Sequence, residues 1–99
     1  MAKFTKSFNI PGKNGQMIYQ AISENIEKFL SKTPIGEHEL KKDDAKKEIS
    51  FKASMASGTI RAQDDGVHVD ISLSLLATPF KGKLEEGINK WLSKTFGIT

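Results

Sequence analysis

Val67-His68-Val69-Asp70-Ile71-Ser72-Leu73-Ser74-Leu75 is the stretch that decides the fold. Its odd-numbered residues are all aliphatic and its even-numbered residues all polar. Successive side chains of an extended backbone point to opposite faces, so this is a strand with one dry side and one wet side. Just before it, Gln63-Asp64-Asp65-Gly66 carries hairpin chemistry, with Gly66 expected at the positive φ that the turn needs. Ile60 and Ala62 form a brief strand before that turn, following a break read as a turn at Ser57-Gly58. Earlier still, Ile49, Phe51, Ala53 and Met55 share one parity, while Glu48, Ser50, Lys52 and Ser54 share the other.

Lys42-Asp43-Asp44 supplies turn chemistry, and a short strand from Glu37 to Lys41 precedes it with Leu40 as its one large apolar residue. Phe4, Phe8 and Ile10 share a parity in an opening strand that ends at Pro11, and Pro11-Gly12-Lys13-Asn14-Gly15 is a loop. Elsewhere the period changes to that of a helix. Met17, Ile18, Ala21, Ile22, Ile26, Phe29 and Leu30 recur at spacings of three and four, and Pro34 stops the run. Phe80, Leu84, Ile88, Trp91, Leu92 and Phe96 make a second stripe. Thr78-Pro79 is expected as its cap and first position, and Gly97 as its end.

The order is β-α-β-β-β-β-α: an α+β domain with an antiparallel sheet of four to five strands and both helices on one face. Ninety-nine residues make a single domain over 1–99, and no internal repeat, low-complexity tract or linker is evident. The absence of cysteine excludes disulfides, thiolate catalysis and zinc–thiolate sites. Fifteen Lys+Arg against twelve Asp+Glu give a net charge of +3, but the signs alternate along most of the chain. A phosphate-binding surface needs its cations gathered on one face, and the outward sheet face lacks the aromatics of a nucleic-acid platform. No nucleic-acid partner is expected. Without a signal-like apolar stretch or a transmembrane run of roughly 18 residues, the expected location is cytoplasmic.

Candidate chemistry is sparse. Gly12-Lys13-Asn14-Gly15 stands between a strand and a helix but lacks the spacing of a nucleotide-binding loop. His68 and Asp70 share a strand face, where a carboxylate–imidazole pair is geometrically possible, yet no further metal ligands or nucleophile motif accompany them. Asp64-Asp65-Gly66 fails the calcium-loop pattern. Catalytic, cofactor and metal sites are therefore expected to be absent. Phe80, Trp91 and Phe96 broaden the second helical stripe and are candidate interaction anchors, with His68 and Asp70 as a lesser polar pair.

Gly58-Thr59-Ile60, Asp65-Gly66-Val67-His68-Val69-Asp70-Ile71 and the helix from Pro79 to Leu92 together give the chain a family look. It resembles the polyhydroxyalkanoic acid system proteins, encoded near polyester storage-granule genes in bacteria, over essentially its whole length. It departs from them at Lys41-Lys42-Asp43, where an aromatic residue is expected. The layout also resembles a reduced helix-grip fold. The resemblance implies a non-enzymatic, granule-associated or regulatory binding protein, whose partner is a polyester granule surface or another protein. Separately, Ser50, Ser54, Thr59, Ser72 and Ser74 leave a flat sheet face that a second copy of the chain or another protein could cover. The alternative expectation is a carrier that holds an acyl or similar apolar ligand in a cleft between sheet and helices.

Overall fold

The computed structural model describes residues 2–32 and 38–97. Five strands, β1 (Ala2–Asn9), β2 (His38–Asp43), β3 (Glu48–Ala53), β4 (Ala56–Gln63) and β5 (Gly66–Leu73), form one antiparallel sheet. Helices α1 (Gly15–Ser31) and α2 (Lys81–Phe96) complete the expected order, with a 3-10 turn at Leu75–Phe80 leading into α2. The spatial order is β1-β5-β4-β3-β2: a four-stranded meander with β1 returned to its far side. This places β5 next to the outermost strand, paired on both sides: Phe4 lies across from Ile71, and Ile71 across from Gly58.

The parity of β5 holds. Val67, Val69, Ile71 and Leu73 are at most 2% exposed, and they meet Ile18, Ile22, Ile26 and Leu30 of α1 and Leu84, Ile88 and Leu92 of α2 in one core. Leu75, expected to extend the strand, instead falls in the 3-10 turn. Pro34 and Glu37, expected to end α1 and to open β2, lie outside the described residues. Met17 is half exposed rather than buried, because it sits about 140° around the helix from Ile22. Tyr19, which the expected stripe left out, is buried in the core. Its hydroxyl donates to Asp44 in the β2–β3 turn. Two further ties follow along α1: Lys42 donates to the Ser23 carbonyl at 3.0 Å, and His38 Nε2 meets Glu27 Oε1 at 2.9 Å. The three contacts sew one flank of α1 to β2.

Both outermost strands carry a lysine on the dry side. Lys6 lies across from Val69 and Lys42 across from Ile49. Each reaches out to a helix rather than into the core, Lys6 to Asn89 Oδ1 of α2 at 2.9 Å and Lys42 to α1.

Four turns differ from expectation. Lys42 and Asp43 belong to β2, so the β2–β3 turn spans 44–47. The β3–β4 reversal falls at Ser54-Met55, so Gly58 is no turn but lies inside β4. There it faces Phe51 and Ile71, and a Cβ would stand 2.7 Å from the Asp70 carbonyl oxygen and 2.9 Å from the Phe51 ring. Glycine is required by close packing. In the β4–β5 hairpin the positive φ belongs to Asp65 (60°), not Gly66. Aspartate tolerates this conformation because its short polar side chain can bond locally, and here it accepts from the Gly12 amide at 3.1 Å. Thr78 and Pro79 lie in the 3-10 turn instead of starting α2, and Thr78 Oγ1 donates back to the Ser74 carbonyl. Gly97 does end α2, with φ at 67°.

The core leaves little empty space. The gap enclosed between Ile26, Ile60, Val69 and Ile88 measures about 10 Å³, room for one water molecule. The expected carrier cleft between sheet and helices is therefore closed: the branched side chains interlock where an acyl chain would have to lie.

Gly58→Ala is expected to destabilise the protein by about 1–3 kcal/mol, since the Asp70 carbonyl cannot yield cheaply. Gly82→Ala, whose Cβ enters open space on α2, is expected to stabilise it by roughly 0.5–1 kcal/mol. Urea unfolding midpoints of both variants check the two signs. The chain has one tyrosine, so its ultraviolet titration reports Tyr19 alone. Burial, and then the Asp44 hydrogen bond and charge, push its pKa up from 10 to about 12. Because the folded value is the higher one, this contribution to stability is intact below pH 10 and is lost as pH rises toward 12. A midpoint at 10 in the folded protein would contradict the arrangement.

Candidate functional site

The residues singled out by sequence fall on two opposite faces. His68 and Asp70 stand on the wet side of β5, where each meets a hydroxyl of β1 directly across the pair. Ser7 Oγ shares a hydrogen bond with His68 Nδ1 at 2.9 Å, and Thr5 Oγ1 donates to Asp70 at 3.3 Å. No hydrogen bond joins His68 to Asp70 among the described residues. Nearby, Arg61 grips Glu48 through Nε and Nη2 at 3.1 and 2.8 Å. The arrangement is a set of cross-strand pairs. Among the described residues no three His, Cys, Asp or Glu side chains gather as metal ligands do.

The glycine loop before α1 is filled by the protein itself. Asp64 of the β4–β5 turn accepts the Gly15 amide at 2.7 Å, and Asn14 accepts the Met17 amide at 2.8 Å. Carboxylate and cap thus occupy the positive end of the helix, where a bound phosphate would otherwise sit. A Cβ on Gly15 would press on Lys47 and the Gln63 backbone at 3.1 and 3.3 Å, so the loop is drawn tightly onto the hairpin.

Phe80, Trp91 and Phe96 are half-buried against the core, but they do not form one patch. Phe80 and Phe96 stand at opposite ends of α2, about 24 Å apart at helical rise. Trp91 meets a different partner. Its ring stacks on Phe29 of α1, centroids 4.5 Å apart and planes 9° from parallel. Over this pair opens a groove of about 640 Å³, flanked by Lys28 and Lys32 from α1 and by Lys90 and Lys94 from α2, with Asn25 and Thr95 completing it.

A repeat in the chain builds the groove. Ile26-Glu27-Lys28-Phe29-Leu30-Ser31-Lys32-Thr33 returns as Ile88-Asn89-Lys90-Trp91-Leu92-Ser93-Lys94-Thr95. The expectation of no internal repeat is corrected here. In both copies the isoleucine and leucine are buried, the aromatic joins the stack, and the lysines line the groove. Equivalent residues touching each other is the pattern of an isologous interface, here within one chain. The paired Lys-aromatic-Leu-Ser-Lys strings were the signal by which sequence alone could have found Phe29 and the four lysines. Read helix by helix, those lysines look like ordinary solvated positions.

Charge balance marks the groove as cationic. Lys90 pairs with Glu86 at 3.3 Å, while Lys28, Lys32 and Lys94 have no ion pair among the described residues. Lys28 and Lys94 stand in the last turns of their helices, where a cation complements the dipole. Each helix end offsets only about half a charge, so with Glu86 counted a surplus of about two positive charges remains.

Comparison with known proteins adds the family context. No curated protein and no solved structure gives a significant match. A family model described as "Putative polyhydroxyalkanoic acid system protein" matches residues 16–96, from the first turn of α1 to the end of α2 and across both copies of the repeat. The resemblance read from the sequence is thereby borne out, and the chain belongs to the polyhydroxyalkanoic acid system protein family.

Proposed function

We propose that this protein is a non-catalytic binding component of a polyester-storage system, acting in the cytoplasm at the granule surface through the face where α1 and α2 meet. The observation that carries this reading is the Phe29–Trp91 stack at the base of an open groove, inside the segment that defines the family. Aromatic rings that remain partly uncovered gain from contact with an apolar polymer, each methylene removed from water contributing about 0.8 kcal/mol. Two further features support binding over catalysis. The His68 and Asp70 side chains turn to β1 hydroxyls, and the imidazole and carboxylate that do meet, His38 and Glu27, tie β2 to α1. The closed core directs any apolar ligand to the outside. No described helix is long and apolar enough to cross a membrane, so attachment by these helices would be peripheral.

Sedimentation with purified polyester granules tests the reading. The native protein is expected to pellet with granules, and Trp91→Ala and Phe29→Ala, checked for folding by circular dichroism, to lose about tenfold in affinity. His68→Ala and Asp70→Asn, on the opposite face, are expected to pellet normally. Protein that stays in the supernatant at every salt concentration would refute granule attachment, and equal losses from both faces would refute the helix surface as its site.

A further inference from the structure

We propose that the groove over Phe29 and Trp91 binds amphiphilic carboxylates, with an acyl chain lying across the two rings and its carboxylate held among Lys28, Lys32, Lys90 and Lys94. The proposal rests on the preceding reading in taking this face as the binding surface, and adds the chemistry of the ligand. Charge complementarity is the first reason. The surplus of about two positive charges exceeds what the helix ends require, so the lysines are available to an anion. They extend an apolar floor: lysine stems are hydrocarbon, and their heads are mobile point charges that suit a carboxylate approached from a flexible chain.

Size is the second reason. The groove is a half-open depression of about 640 Å³, with room for a slender chain laid along its floor and left partly in water. The rings are already half-buried and offer far less than the roughly 800 Å² per partner of a stable protein interface. Stacked on each other, they are also poorly placed to sandwich a nucleobase. The third reason is the duplication itself. Both copies of the repeat keep the two lysines and the aromatic, so charge flanks the floor on either side and a chain can lie across it in either direction.

Trp91 is the only tryptophan in the chain, so its fluorescence reports the groove directly. Titration with octanoate is expected to shift its emission saturably, with methyl octanoate at least about tenfold weaker because it lacks the charge. Raised salt and the double variant Lys28→Glu, Lys94→Glu are each expected to weaken octanoate by about tenfold. An equal response to the methyl ester, no saturation by octanoate, or saturation by poly-glutamate alone would overturn the assignment. Protein that pellets with granules but does not respond to octanoate overturns this inference and leaves granule attachment standing. Protein that responds to octanoate but leaves granules unbound does the reverse.

Discussion

The structure depends on keeping β5 dry on one face while it is paired along both edges. Val67, Val69, Ile71 and Leu73 are the aliphatic row on which both helices rest, and each contributes about 1.5–3 kcal/mol by leaving water. A slip of one residue in register would turn that row to solvent and His68, Asp70 and Ser72 into the core, so the pairing has no near competitor. The return of β1 follows from the same constraint. Without it β5 would be an unpaired edge beneath α2; with it, Phe4 and Phe8 join the apolar layer beside the strand.

The two helices are fitted to this layer by one recurring string of residues. The isoleucine and leucine of each copy reach the sheet, the aromatic reaches its counterpart on the other helix, and the lysines remain outside. The same segment therefore anchors the helix end and shapes its outer surface. This division places the chemical character of the molecule on its helical side, while the wet sheet face is taken up by short side chains and cross-strand pairs such as Arg61–Glu48.

Most of the architecture was legible in the sequence because it rests on local periodicity. The alternation of β5 and the spacing of Ile18, Ile22 and Ile26 need no knowledge of the rest of the chain. What was not legible depended on distant neighbours. Gly58 reads as a break until Phe51 and Ile71 are seen to close over it. Asp65, rather than the glycine beside it, takes the left-handed conformation because its side chain has the Gly12 amide to hold. Trp91 was legible as an anchor, but Phe29 seemed an ordinary core residue, and the lysines seemed solvated charge. Their joint meaning arises only where two segments far apart in the chain come side by side.

The lysines at the margins of the sheet have a consequence for how the molecule can associate. Lys6 and Lys42 both sit where a neighbouring molecule's strand would have to dock, and each is held by a helix of its own chain. Extending the sheet from either edge would strand an ammonium group in an apolar layer, a standard protection against fibril growth. A protein with this guard can be crowded onto a surface at high local concentration without polymerising edge to edge.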